Sequence, residues 1–172
     1  MVQLIALTGE NGGWQRLKEQ WRAECAGYNE DFDGYAAGTF SVLEPLALGN
    51  EPRAGVFAFV RDGEHQAVCQ ANCTGLPGYV GPVLRVRFMT LSPKYDFGDH
   101  PIEEYARVLV NLFLGAVNLS YRDPFEAQHI KFHLSSPADR PFFATLGTEL
   151  GQQNLFDTVD VRGAWLYVTK HQ

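Results

Sequence analysis

Two short segments of this chain set cations and imidazoles at alternating positions. In "PVLRVRFMTL", Pro82 to Leu91, Arg85 and Arg87 alternate with Leu84, Val86 and Phe88. In "HIKFHLSS", His129, Lys131, His133 and Ser135 alternate with Ile130, Phe132 and Leu134. A period of two is that of a β-strand, so each segment should turn its apolar set to one face and its polar set to the other. If the two strands lie side by side, Arg85, Arg87 and Lys131 form one basic strip with His133 next to it. The guanidinium fork matches carboxylate and phosphate oxygens, so the strip is a candidate ligand-binding site for an anion. The alternative is that Asp or Glu side chains from covering helices neutralise these cations.

Other reactive residues are less suggestively placed. His129 and His133 would share a helix face, but on a strand they stand roughly 13 Å apart at ~3.3 Å per residue, too far to hold one zinc ion. Cys69 and Cys73 meet the same objection and read as small buried residues, so no metal is expected. "NEDFDG", Asn29 to Gly34, echoes the start of a calcium loop, yet position twelve is Phe40 instead of a bidentate Glu. Glu24, Glu30, Asp31 and Asp33 could instead draw in a cationic amine, or form an ordinary solvated acidic loop. "CTGLPGYVGP", Cys73 to Pro82, reads as a turn-rich connection with Tyr79 as a lining residue. No GxSxG, CxxC or HExxH motif occurs.

The elements that position these residues follow from periodicity. "VQLIAL" reads as a first strand. Trp14, Leu17, Trp21, Cys25 and Tyr28 then recur at helical spacing, with Gly27 as the stop. The Gly-, Pro- and acid-rich stretch from Asn29 to Pro52 suggests at most a short second helix. "AGVFAFVRD", "QAVCQANC" and "PVLRVRFMTL" read as strands, the first two joined by a tight Asp62-Gly63 turn. A helix from about Glu103 to Arg122 buries Tyr105, Leu109, Leu112, Phe113, Ala116 and Val117. "HIKFHLS" is a strand, "PADRPFFATLGTEL" a short helix, and "DTVDVRGAWLYVTK" closing strand material. The order predicts one α/β (α+β) domain over residues 1–172. Its sheet of about six or seven strands should be mixed and mostly antiparallel, with helices on both faces and a right-handed parallel strand-helix-strand crossover at its centre.

Between the third of those strands and the long helix lies "LSPKYDFGDHPIEEY", a strand-loop-helix junction of the kind that holds phosphates on backbone N–H groups. "LSPKY", Leu91 to Tyr95, is similar to the fourth-strand ending of the GNAT-like N-acyltransferase superfamily. "FFATLG", Phe142 to Gly147, resembles the turn of helix after that family's fifth strand. The resemblance spans nearly the whole chain. It implies transfer of an acyl group from acetyl-CoA or another acyl-CoA to an unidentified amine, with the small molecule in the cleft between strands four and five. Leu91, Ser92 and Tyr95 would lie along the donor, and Gly98 and Asp99 at its phosphate end.

The family's phosphate loop reads Gln/Arg, any, any, Gly, any, Gly/Ala, and here it is degenerate. Counted from Pro93, Asp96, Asp99 and Pro101 take the key positions; a shift of one gives Tyr95, Gly98 and His100. Asp96, Asp99, Glu103 and Glu104 add negative charge, and Asp99 is itself a suitable helix cap. The tyrosine that many members use as general acid is replaced by Phe143. Tyr95, His133 and Tyr79 are the remaining candidates for proton transfer. The alternative implied by these losses is a non-catalytic member of the fold that binds another ligand or a protein partner.

The 172 residues, with 45% hydrophobic and 20% charged, suit a globular domain with a proper core. A net charge of −6 argues against nucleic acid or an anionic membrane as partner. The apolar run ending at Leu7 is too short for a secretory signal or a membrane span, and three cysteines give no disulfide framework, so a cytoplasmic protein is expected. A homodimer through an edge or terminal strand is the assembly that the resemblance allows.

Overall fold

The chain opens with β1 (Leu4–Leu7), α1 (Gly13–Gly27) and α2 (Phe32–Leu48), and continues through β2 (Ala54–Arg61), β3 (Glu64–Gly75) and β4 (Pro82–Leu91). Then come α3 (Pro93–Phe97), α4 (Ile102–Leu119), β5 (His129–His133), α5 (Asp139–Gln152), β6 (Thr158–Arg162) and β7 (Trp165–Thr169). The computed structural model describes residues 2–134, 136, 139–152 and 155–171; Ser135, expected on the polar face of β5, lies outside them. The seven strands form one sheet in the order β1-β2-β3-β4-β5-β7-β6. Only β4 and β5 run parallel, and α4 makes the crossover between them. Asp62 and Gly63 both take positive φ, 54° and 82°, which is the turn that matches the twist of the β2–β3 hairpin.

Each face of the sheet carries its own core. On one, Trp14, Leu17, Trp21 and Cys25 of α1 and Phe32, Ala36, Phe40, Leu43 and Ala47 of α2 cover Val56, Ala58 and Val68. On the other, Leu109, Leu112, Phe113 and Ala116 of α4 and Phe143 of α5 pack on Leu84, Val86, Ile130, Phe132 and Leu166. Phe113 and Phe132 meet with ring centroids 4.8 Å apart. Among the described residues, no helix is long and apolar enough to cross a membrane.

Two local expectations are corrected. The second helix is not short: α2 has 17 residues and runs through Pro45. The carboxylate of Asp31 caps it by accepting from the N–H groups of Asp33 and Gly34 at 3.4 and 2.8 Å. "NEDFDG" is therefore a helix start. The face assignment in β4 also fails at Phe88. Between the pairs Val68↔Thr90 and Gln70↔Arg87, Phe88 and Met89 oppose Cys69 alone, and Phe88 takes φ 52°. This β-bulge shifts the phase of the strand. Leu84 and Val86 face α4, but Phe88 turns toward α1 and α2, and Met89 and Leu91 return to the α4 side.

Candidate functional site

β4 and β5 are paired only from Val83↔His129 to Val86↔Phe132. β5 ends at His133, whereas β4 runs on through the bulge to Leu91. Beyond Val86 the β5-facing edge of β4 has no strand partner among the described residues. The strands part next to α3 and the start of α4.

The residues expected along a donor there are largely committed to the protein itself. Leu91 is buried, and its carbonyl accepts from the Tyr35 hydroxyl at 2.8 Å. The buried Ser92 hydroxyl hydrogen-bonds the Glu24 carboxylate. Tyr95 is buried as well; its hydroxyl donates to Gln66 Oε1 at 2.5 Å and accepts from Arg61 at 3.5 Å. Burial pushes its acidity down, with a raised pKa. These contacts brace Tyr95 where β4 turns into α3. Gly98 adopts an ordinary φ of −87°. A Cβ there would come 2.7 Å from the Tyr28 hydroxyl and collide with the Lys94 carbonyl, so close packing is what excludes a side chain. Asp99 is exposed and does not cap α4: Pro101 takes that position and offers no side-chain acceptor. His100 pairs with Glu104 at 2.9 Å in the first turn.

The basic strip does assemble. Arg85 is in register with Lys131 across β4 and β5, Lys131 with Tyr167 across β5 and β7, and His133 with Trp165. On the other flank Asn72 faces Arg85 and Gln70 faces Arg87. Directly paired residues share a face, so these side chains line the surface opposite α4 and α5. Here, past the edge of the α1–α2 layer, Arg85, Arg87, Lys131, His133, Trp165 and Tyr167 are all half-exposed. Among the described residues no carboxylate pairs with Arg85, Arg87 or Lys131. Among the described residues the carboxylates of α1 and α2 do not neutralise them, because those helices pack on β2 and β3. Lys131 instead lies over the Trp165 and Tyr167 rings at 4.8 and 4.7 Å. Burial and then the charge of Arg85 lower the pKa of Arg87. Burial, followed by the charges of Arg87 and Arg140, lowers that of His133, which favours its neutral form.

The remaining candidates lie apart. Tyr79 meets the His129 ring at 5.0 Å and lines a cavity of about 620 Å³ with Arg162 and Tyr167, at the opposite end of β5 from the divergence. Of the acidic group, Glu24 holds Ser92, Asp31 caps α2 and Asp33 stands 3.7 Å from Arg22, so they do not converge on a cation. Cys25, Cys69 and Cys73 are free and buried. Among the described residues no three potential metal ligands come together.

No family model and no curated protein sequence matches the chain. Solved structures do. AAC(6')-Ib in complex with ribostamycin and coenzyme A superposes with TM-score 0.54 and 15% identity, over 97% of this chain and 92% of the other. A probable acetyltransferase from Staphylococcus epidermidis superposes with TM-score 0.51 and 12% identity, over 99% of this chain and all of the other. The chain has the GNAT-like N-acyltransferase fold.

Within that GNAT-like fold, the strand-four to strand-five region is the one that the sequence singled out, but part of its lining was not foreseen. Gln70 and Asn72 were missed although in "QAVCQANC" they alternate with the small buried residues Cys69, Ala71 and Cys73. Trp165 and Tyr167 were missed although they alternate with buried Leu166 and Val168. In each case the alternation was legible, and the identity of the neighbouring strand was not.

Proposed function

We propose that the protein is an acyl-CoA-dependent N-acyltransferase that receives its acceptor amine across the half-exposed face of β3, β4, β5 and β7. The observation that carries this reading is the parting of β4 from β5 after Val86, which leaves a backbone edge against which the amides of a pantetheine thioester can lie. His133, at the end of β5 and neutral at physiological pH, is the candidate general base. The amine nitrogen attacks the thioester carbonyl carbon, and the C–S bond breaks as the tetrahedral adduct collapses. The ammonium proton passes to His133 Nδ1 or Nε2, and the departing thiolate takes a proton from His133 or water.

One observation favours the second reading, a non-catalytic ligand-binding module. Ser92, Tyr95 and Gly98 are closed by internal contacts, and Glu103 and Glu104 place negative charge in the first turn of α4. Titration with acetyl-CoA and desulfo-CoA separates the two. Ligand at 100 times Kd should stabilise the fold by ~2.7 kcal/mol, and acyl transfer to amines should follow by release of free thiol. No thermal shift at millimolar CoA defeats the acyl-CoA reading and leaves the binding module.

A further inference from the structure

We infer that Arg85, Arg87 and Lys131 form a binding site for an anionic group, carboxylate or phosphate, carried by the acceptor itself. Assigning the anion to the acceptor rests on the acyltransferase reading; the anion site does not.

Among the described residues four buried side-chain atoms have no hydrogen-bond partner, and they lie on neighbouring positions of β3 and β4: Gln70 Oε1, Asn72 Oδ1, Arg85 Nε and Arg87 Nε. Gln70 is cross-strand from Arg87 and Asn72 from Arg85, so each orphaned acceptor stands beside an orphaned donor. Leaving such groups unpaired is costly. A small rotation of each amide would let its oxygen take the Nε–H and fix the guanidinium with its Nη edge outward. That is how a bidentate anion clamp is held from behind.

Charge points the same way. The chain carries 20 Asp and Glu against 14 Lys and Arg, yet these three neighbouring cations have no acidic partner among the described residues. The nearby acid on this face, Asp160 of β6, is held by Arg162 at 2.6 Å. Like charges held together and partly desolvated are tolerated where a counter-charge is to be bound. Trp165 and Tyr167 wall the site and hold Lys131 by cation–π contact, which orients the ammonium without neutralising it.

Position distinguishes acceptor from donor. α4, whose N-terminus is where a CoA diphosphate would lie, packs on the opposite face of the sheet. Arg85 and Lys131 lie within the paired part of β4 and β5, whereas Arg87 and His133 stand just beyond it. Two strand residues span about 7 Å. An anion seated between Arg85 and Lys131 therefore places an amine at His133 when the two groups are about that far apart. This fits an ω-amino acid or a phosphorylated amino sugar, and excludes an α-amino acid, whose amine and carboxylate share one carbon.

The test is calorimetric and thermal titration of the full chain with potassium phosphate and, separately, potassium glutarate, at ionic strength held constant with KCl. Saturable binding of either, weakened at least tenfold in Arg85→Gln and in Arg87→Gln but unchanged in Lys18→Gln, supports the site. The preferred probe tells phosphate from carboxylate. Absence of saturation, or Arg87→Gln binding as tightly as wild type, overturns it. A second readout needs no variant: the bound anion should raise the His133 pKa by offsetting Arg87, seen in its imidazole proton shifts, and an unmoved His133 titration counts against the site. Repeating the titration with desulfo-CoA present isolates the acceptor assignment. Independent binding sustains it, and competition overturns it by giving these cations to the donor's phosphates. If the anion binds but CoA does not, the acyl-CoA reading falls and the anion site stands.

Discussion

Tyr95 offers the sharpest separation of a structural role from a chemical one. The family resemblance puts it beside the donor, whereas the structure buries it and directs its hydroxyl to Gln66 Oε1 at 2.5 Å. Gln66 is itself buried, at 1% exposure, so removing the hydroxyl in Tyr95→Phe strands an acceptor that water cannot reach. Such a loss costs about 1–2 kcal/mol. In a domain of this size that lowers Tm by roughly 2–8 °C. Gln66→Met should cost a similar amount. The double variant should lose less than the sum, with a coupling of about 1 kcal/mol, because replacing both partners leaves neither unsatisfied. Chemical denaturation of the four proteins yields the cycle, and thiol release in the presence of an accepted amine gives activity. Activity per folded molecule should stay within a few-fold of wild type in Tyr95→Phe. A variant with unchanged Tm, no coupling and abolished transfer would show that the hydroxyl serves chemistry and that its bond to Gln66 is incidental.

Three further outcomes are expected. His133→Gln should lower kcat by about 10²–10⁴ and remove the acidic limb of the kcat/KM profile, which lies below pH ~6.5; an unchanged profile excludes His133 as the base. Arg87→Gln should cost little or no stability, since it relieves the repulsion from Arg85 and the partial desolvation of a charge that solvent still screens, while weakening anion binding; a clearly lower midpoint in urea would contradict this. Burial lowers the His65 pKa from 6.5, and its Nδ1 lies 2.9 Å from Gln20 Oε1. The folded state therefore resists protonation more than the unfolded chain. The stabilisation from this group is complete above pH ~6.5 and declines as pH falls toward the folded pKa, with a slope of at most ~1.4 kcal/mol per pH unit. His65→Gln should flatten the decline in urea midpoints between pH 6.5 and 5, and an identical slope would argue that His65 does not contribute.

Local pattern was enough for much of this molecule. The stripe Trp14, Leu17, Trp21, Cys25 dictates α1 because those residues fall on one side of a 3.6-residue turn, and Asp62-Gly63 dictates its hairpin because both positions accept positive φ. The alternation in β4 and β5 likewise announces which side chains share a face, and so the basic strip. α2 was underestimated because its Gly34, Gly38 and Pro45 signal breakage; the helix survives through the Asp31 cap and the burial of Phe32, Phe40 and Leu43 against α1, which is a tertiary gain.

What a linear pattern cannot carry is partnership. Nothing in "LSPKY" says that Ser92 will bond Glu24 or that Tyr95 will turn inward to Gln66, since those contacts join residues 68 and 29 positions apart. The bulge that swings Phe88 to the other face arises from the mismatch of β4 with β3. That no carboxylate among the described residues pairs with Arg85, Arg87 or Lys131 is decided by where α1 and α2 pack on the sheet. Local periodicity is set by steric preferences within a few residues and can be read from the chain. Ion pairing and closure of a site depend on distances between segments remote in sequence, and only the assembled sheet fixes those.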